Sequence, residues 1–266
     1  MDVTIHRGTK EIGGSCVEVC AGETRIILDV GLPLVTPERE PFDSSVIRGK
    51  SAEELIESGV IPRVPGLFGE GERPDAILLS HSHLDHVGLL HFTRPEIPIY
   101  ATSGTSKMML AGAKFGGGRV LDRDRHQPIQ SQRSFTIGSL TITPFAVDHS
   151  CFGSVAFLIE GDGKTLLYSG DLRLHGRKPG MAKRLVAEMA RRTIDVLLME
   201  GTHVGFDRLK EKKSEVQLEA EIYEHIVASK GLVLSSFSPI DVDRVVTYYK
   251  ASTKAGRTFV ADVYTA

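Results

Sequence analysis

An apolar run at residues 76–79 leads straight into His81-Ser82-His83-Leu84-Asp85-His86. No other stretch restricts the chain so tightly. Residues 76–79 read as a buried strand. Residues two apart on an extended segment point to one side, so His81 and His83 can grip one ion together. Val87-Gly88-Leu89-Leu90 reads as the start of a helix, which puts Asp85 and His86 at the turn, facing a second ion. Imidazole nitrogens and a carboxylate oxygen suit zinc at about 2.0–2.2 Å. A chance cluster on a polar loop would not require a strand in front of it.

Further donors stand where other apolar runs end. His149 follows a strand-like stretch at 140–147, Asp171 follows 164–169, and Asp29 follows 25–28. Strand ends running into loops are where a scaffold presents functional groups. Singly, each has an ordinary explanation, since an Asp beside Gly is usually a turn residue. In order, Asp29, the run at 81–86, His149 and Asp171 resemble the metallo-β-lactamase superfamily along the first 200 residues. The words that carry the resemblance are GTKEIGGSCVEV at 8–19, ILDVG at 27–31, the stretch 80–88, Val147-Asp148-His149-Ser150 and Ser169-Gly170-Asp171.

That resemblance implies a division of labour. His81, His83 and His149 would hold one zinc, Asp85 and His86 a second, and Asp171 would bridge the two. Asp29 would accept a hydrogen bond that orients a ligand. A hydroxide between the ions would be the nucleophile, with Asp85 beside it to orient it or take its proton. The reaction class is hydrolysis. Two-iron redox relatives usually carry Glu at the second histidine of the run, where this chain keeps His83.

The remaining pattern is mixed. Short hairpins flank Gly22, Gly138-Ser139 and Gly161-Asp162-Gly163. Helices are expected at 103–115 and along Met181, Leu185 and Met189, an apolar stripe at spacing four. Residues 32–73, with a helical patch at 52–57, read as an insertion near the mouth of the site. The expected fold class is α/β: a metallo-β-lactamase αββα sandwich at 1–200.

After Asp171 comes an apolar strand at 194–199 ending in Glu200, then a capping box at Ser214 and Gln217. A strand at 232–234, a helix from Ser238 through Arg244, and a strand at 258–264 complete a parallel α/β pattern. A carboxylate ending a strand at this point is similar to the start of a β-CASP domain, as in ribonuclease J and the endonuclease of mRNA 3′-end cleavage. The resemblance implies that Glu200 helps protonate the leaving oxygen. It implies a phosphodiesterase acting on nucleic acid, RNA before DNA, with exo- or endonucleolytic cleavage undecided. Residues 201–266 would be the incomplete N-terminal part of that domain. The group's two later histidine motifs cannot be placed, so a truncated chain is expected, with one ligand of the second zinc in doubt. His175 and His203 are the substitutes at hand. Asp241-Val242-Asp243-Arg244 departs from the Gly-Arg usual in the group. Arg244 and Ser238, at a helix start, are the phosphate candidates.

Composition narrows the setting. The chain is 41% apolar, and no run approaches the roughly 20 residues of a membrane span. Cys16, Cys20 and Cys151 give no disulfide framework, and Cys16 and Cys20 read as small core residues, so a cytoplasmic setting is expected. A net charge of −2 does not advertise a nucleic-acid surface. The basic stretch Lys114, Arg119, Arg123, Arg125 and Arg133 is diluted by acids and reads as a solvated loop. Self-association is left open. Two other functions stay on the table: a catalytically impaired nucleic-acid-binding module of the same fold, and a hydrolase of thioesters, lactones or β-lactams.

Overall fold

The computed structural model describes residues 1–9, 11–36, 38–116, 119–202, 213–238, 240–262 and 265. Strands β1 (Asp2–Arg7), β2 (Cys16–Ala21) and β3 (Thr24–Leu28) form an antiparallel meander. Helix α1 (Ala52–Glu57) follows, then β4 (Ala76–Leu78), the one-turn helix α2 (Leu84–Val87), β5 (Ile99–Thr102), α3 (Ser103–Gly116) and β6 (His126–Ile129). β3 to β6 run parallel, completing a six-stranded sheet in the order β1 to β6. The second sheet has β7 (Phe135–Ile137), β8 (Leu140–Ala146), β9 (Val155–Gly161), β10 (Lys164–Tyr168) and β11 (Val196–Leu198). Its order is β11-β10-β9-β8-β7, with only β10 and β11 parallel. Helix α4 (Gly180–Met189) lies between β10 and β11, and α5 (Glu215–Ala228) and α6 (Val242–Lys254) close the chain.

Strand alternation sorts the apolar side chains into layers. Ile26, Leu28 and Leu78 of the first sheet meet Ile142, Phe157, Ile159 and Leu166 of the second. Ile27 and Ile77 point the other way, into a cluster with Leu55 of α1, Leu67, Leu89 and Met109 of α3. On the far side, Phe145, Ala156, Leu158 and Leu167 pack against Leu185 of α4. Helix, sheet, sheet, helix is an αββα sandwich, as the sequence leads one to expect. The stripe of Met181, Leu185 and Met189 falls on α4, with Leu185 buried.

Two expectations need correction and one gains detail. Residues 32–73, read as an insertion near the mouth of the site, also supply Leu55, Ile61, Val64, Leu67 and Phe68 to the core outside the first sheet. Residues 232–234 and 258–262 form no strand, and residues 263 and 264 lie outside the described part. Leu232, Leu234 and Val260 are each 83% exposed. An apolar run makes a strand only where a neighbour accepts its backbone bonds, and no described segment does so here. The parallel unit after Glu200 therefore appears as two packed helices. Cys16 is buried as expected, but Cys20 is only half-buried, its thiol 3.7 Å from Glu18 Oε1.

Candidate metal centre

The expected donors converge from four loop ends on one edge of the sandwich. The His81-to-His86 run leaves β4, His149 follows β8, Asp171 follows β10, and Asp29 follows β3. Helix α2 is a single turn in which only the Leu84 carbonyl has a helical partner, the Gly88 N–H at 2.7 Å. The carbonyls of Leu84, Asp85 and His86 also accept from the backbone N–H groups of Leu32, Ser15 and Val30, at 2.8 to 3.0 Å. Gly31 lies so close that a Cβ on it would fall 1.7 Å from the Asp85 carbonyl oxygen. The Asp-Val-Gly word thus has a steric reason. Val155 N–H donates to Ser80 O at 2.9 Å, joining the two sheets beside the site.

His81, His83 and His149 offer nitrogens within 4.8 Å of one another, and so do His81 and His86 with an oxygen of Asp85. His83 Nδ1 lies 3.1 Å from His81 Nε2 and 3.0 Å from His149 Nε2. Tetrahedral zinc with 2.0–2.1 Å bonds to nitrogen has ligand edges of about 3.3 Å. The ring pairs are T-shaped, at 68° to 81°. Asp171 stands between the clusters. Its Oδ1 is 3.2 Å from His86 Nε2, and its Oδ2 is 3.8 Å from His149 Nε2 and 4.0 Å from His81 Nε2. Asp85 Oδ2 is 3.6 Å from His86 Nε2. This donor set, imidazoles with two carboxylates, fits a transition-metal pair in chemistry and in spacing.

Asp29 sits beneath, with no exposed surface and a left-handed backbone (φ 57°). Its Oδ1 accepts from Ser80 N–H, and its Oδ2 from Ser80 Oγ, Tyr168 Oη and His86 Nδ1, all at 2.7 Å. Ser80 spends its proton on Asp29, so His81 Nδ1, 3.0 Å from Ser80 Oγ, is the donor of that contact. His81 then keeps an Nε2 lone pair free for a metal, while the charged His86 donates from Nε2 to Asp171 Oδ1 at 3.2 Å in the metal-free chain.

Burial, with the His86 charge nearby, holds His81 well below the usual imidazole range and His83 at about 4. Burial, then His83, brings His149 to about 3. These rings are neutral at pH 7, the state a metal requires. His86 goes the other way: burial opposes its charge, but Asp29 and Asp171 override burial and raise it well above. Asp85 is raised by burial, with Asp171 adding to the shift. Burial also works against the Asp171 carboxylate, yet His86 hydrogen-bonds it and lowers it overall.

Other expected residues fall elsewhere. Glu200 is tied to the loop around Asp171, its Oε1 accepting from Leu172 N–H at 2.7 Å and its N–H donating to Ser169 Oγ at 3.1 Å. Arg244 is at the start of α6, but its guanidinium is taken by the buried Glu215 carboxylate at 3.0 Å, and Ser238 is exposed. A paired guanidinium is a poor phosphate ligand, so the helix start offers less than expected. His175 is in neither donor cluster among the described residues, and His203 lies outside them. Ser80, Tyr168 and Arg173 were not anticipated; only their place next to the donor words hints at them.

An αββα sandwich with histidines and carboxylates gathered on one edge defines the class of fold. The chain belongs to the beta-lactamase superfamily, whose domain model matches residues 59–230. It is 26% identical over 275 residues to the RNase J-like protein of Methanocaldococcus jannaschii, covering 98% of this chain and 57% of that one. It is 27% identical over 209 residues to ribonuclease J of Mycolicibacterium smegmatis, covering 74% and 36%. The chain thus spans about half the length of such relatives, or less. A crystal structure of an Enterococcus faecalis protein of unknown function superposes with a TM-score of 0.76 at 22% identity, over 93% of this chain and 62% of that one. Among the described residues no helix is long and apolar enough to cross a membrane.

Proposed function

We propose that the chain carries the two-zinc centre of a β-CASP-type ribonuclease. The observation behind this reading is the Asp171 carboxylate, which turns one oxygen to His86 and the other to His81 and His149. His81, His83 and His149 would hold one zinc, Asp85 and His86 the other, with Asp171 shared. Zinc bound there supplies a Lewis acid and a water acidic enough to attack phosphorus at neutral pH. Asp85, beside that water, would orient it or take its proton. Asp29 fixes the ring of His86 through Nδ1. Glu200 would serve the leaving oxygen through Oε2, its Oε1 being bonded to Leu172. Relatives named as ribonucleases make RNA the first substrate to try.

The test is metal analysis of purified protein with cleavage of labelled single-stranded RNA and DNA. About two zinc per chain and RNA cleavage are expected. Asp85→Ala should lower kcat by about 10²–10⁴-fold, the size of a lost proton-transfer group. His83→Ala should lose metal and activity while the fold survives. Cleavage that persists in both variants means the centre lies elsewhere. Zinc without cleavage by the native chain rejects the nuclease reading and leaves a nucleic-acid-binding module.

A further inference from the structure

His149 and Asp171 must keep one separation if a single carboxylate is to serve both donor clusters. No ladder pairs the two strand ends directly, and those through β9 stop short of the loops that carry both residues. His149 follows β8 and Asp171 follows β10, and β9 lies between those strands. The segment after Asp171 supplies a direct tie. Arg173 N–H donates to Asp148 O at 2.7 Å, and its Nε donates to Asp148 Oδ1 at 3.2 Å. Lys178 N–H donates to Asp148 Oδ2 at 2.8 Å. Asp148 is 3% exposed and immediately precedes His149. Gly176 passes so near that a Cβ on it would fall 2.3 Å from Asp148 Oδ1. The loop is therefore wrapped around this carboxylate.

The same guanidinium reaches out of the sandwich. Arg173 Nη2 donates to Asp243 on α6, and Nη1 lies 3.7 Å from Asp241, the residue capping that helix. Ser150 O accepts from Val242 N–H at 3.2 Å, so α6 also touches the His149 loop directly. Arg177 completes the anchor through bonds to other partners than Asp148. Its N–H donates to Asp243 at 3.0 Å, and its Nη2 donates to Glu219 of α5 and Thr247 of α6 at 2.6 and 2.7 Å. A turn that merely reversed the chain would be made of small polar residues. Here the Arg173 side chain, 10% exposed, is desolvated to hold three carboxylates.

We propose that Arg173 is a positioning residue for the metal centre. By joining Asp148 to Asp243 and Asp241, it sets the distance between His149 and Asp171 and references both to the α5–α6 pair. This rests on the metal-centre reading above. A lysine could keep the charge but not the fork that reaches Asp148 and α6 together.

The test uses the full chain stripped of metal and titrated with Co2+, whose visible absorption reports ligand geometry. Affinity is read by chelator competition and stability by urea unfolding. The native chain should take up two equivalents. Arg173→Gln should bind the second about 10–100-fold more weakly with an altered spectrum, the usual size for loss of a ligand's supporting partner. Arg173→Lys should recover part of that loss. Arg177→Gln should lower stability yet keep both equivalents and the native spectrum, which separates positioning from bracing. If Arg173→Gln does not fold, the lysine variant carries the comparison. Arg173 variants that bind both equivalents like the native chain overturn the proposal alone. A native chain that takes up no cobalt overturns the metal-centre reading and the proposal with it.

Discussion

Asp29 shows how much one buried side chain can organise. Its carboxylate gathers Ser80, Tyr168 and His86, residues 51, 139 and 57 positions away. Asp29→Asn keeps the shape but turns one acceptor into a donor facing other donors. It should cost about 1–3 kcal/mol in denaturant unfolding, the penalty for an unpaired buried polar group. It should also weaken zinc binding about 10–100-fold in chelator competition. Unchanged binding would mean that His86 is oriented without it. The histidines make stability depend on pH in metal-free protein. His83 titrates at about 4 and His149 at about 3 in the folded chain, against about 6.5 when unfolded. Between these values the unfolded chain binds more protons, so their contribution is fully present above pH 6.5 and fades as pH falls toward 3. His86 is raised, so its contribution is full below pH 6.5 and is lost only as pH rises through its folded value. Chelator-treated protein should therefore lose urea resistance as pH falls from 6.5 to 4, apart from the shared carboxylate losses. His83→Gln should flatten that slope. The donor run was legible because its spacing matches a strand entering a turn. Ser80, Tyr168 and Arg173 were not legible, because their partners are distant in the chain.

Elements with strong local signals appear as read. Helix α1 occupies residues 52–57, and α5 opens on the Ser214–Gln217 capping box with both reciprocal bonds present. The hairpins at Gly22, Gly138 and Gly163 all have glycine at positive φ. Residues 232–234 and 258–262 fail because a strand needs a neighbour, which apolarity in the run does not supply. Two glycines separate local from tertiary cost. Gly112 is inside α3 with open space around it, so Gly112→Ala should add about 0.5–1 kcal/mol of stability. Gly31→Ala puts a methyl group into the Asp85 carbonyl, must push α2 away from the loop after β3, and should cost about 1–3 kcal/mol or more. Paired urea unfolding of the two variants checks the opposite signs. Equal effects would show that the Gly31 contact relaxes freely.

At the scale of the molecule, the sandwich holds together through the layer between its sheets. Phe157 is fully buried there, so Phe157→Ala should cost about 3–5 kcal/mol in urea unfolding. A cost below about 1 kcal/mol would mean that the layer collapses into the gap. The donor run from His81 to His86 could be read from its spacing after an apolar run, whereas His149, Asp171 and the layered sandwich came from the order of words that resembles the metallo-β-lactamase superfamily. Periodicity of two and the chemistry of imidazole are local properties, and a linear sequence states them outright. Three things were decided only by the folded chain: the separation of the two clusters across Asp171, the Asp29 hub beneath them, and the arginine tie from Asp148 to α6. Each joins segments that no ladder pairs directly, and such distances follow from how the sheets pack.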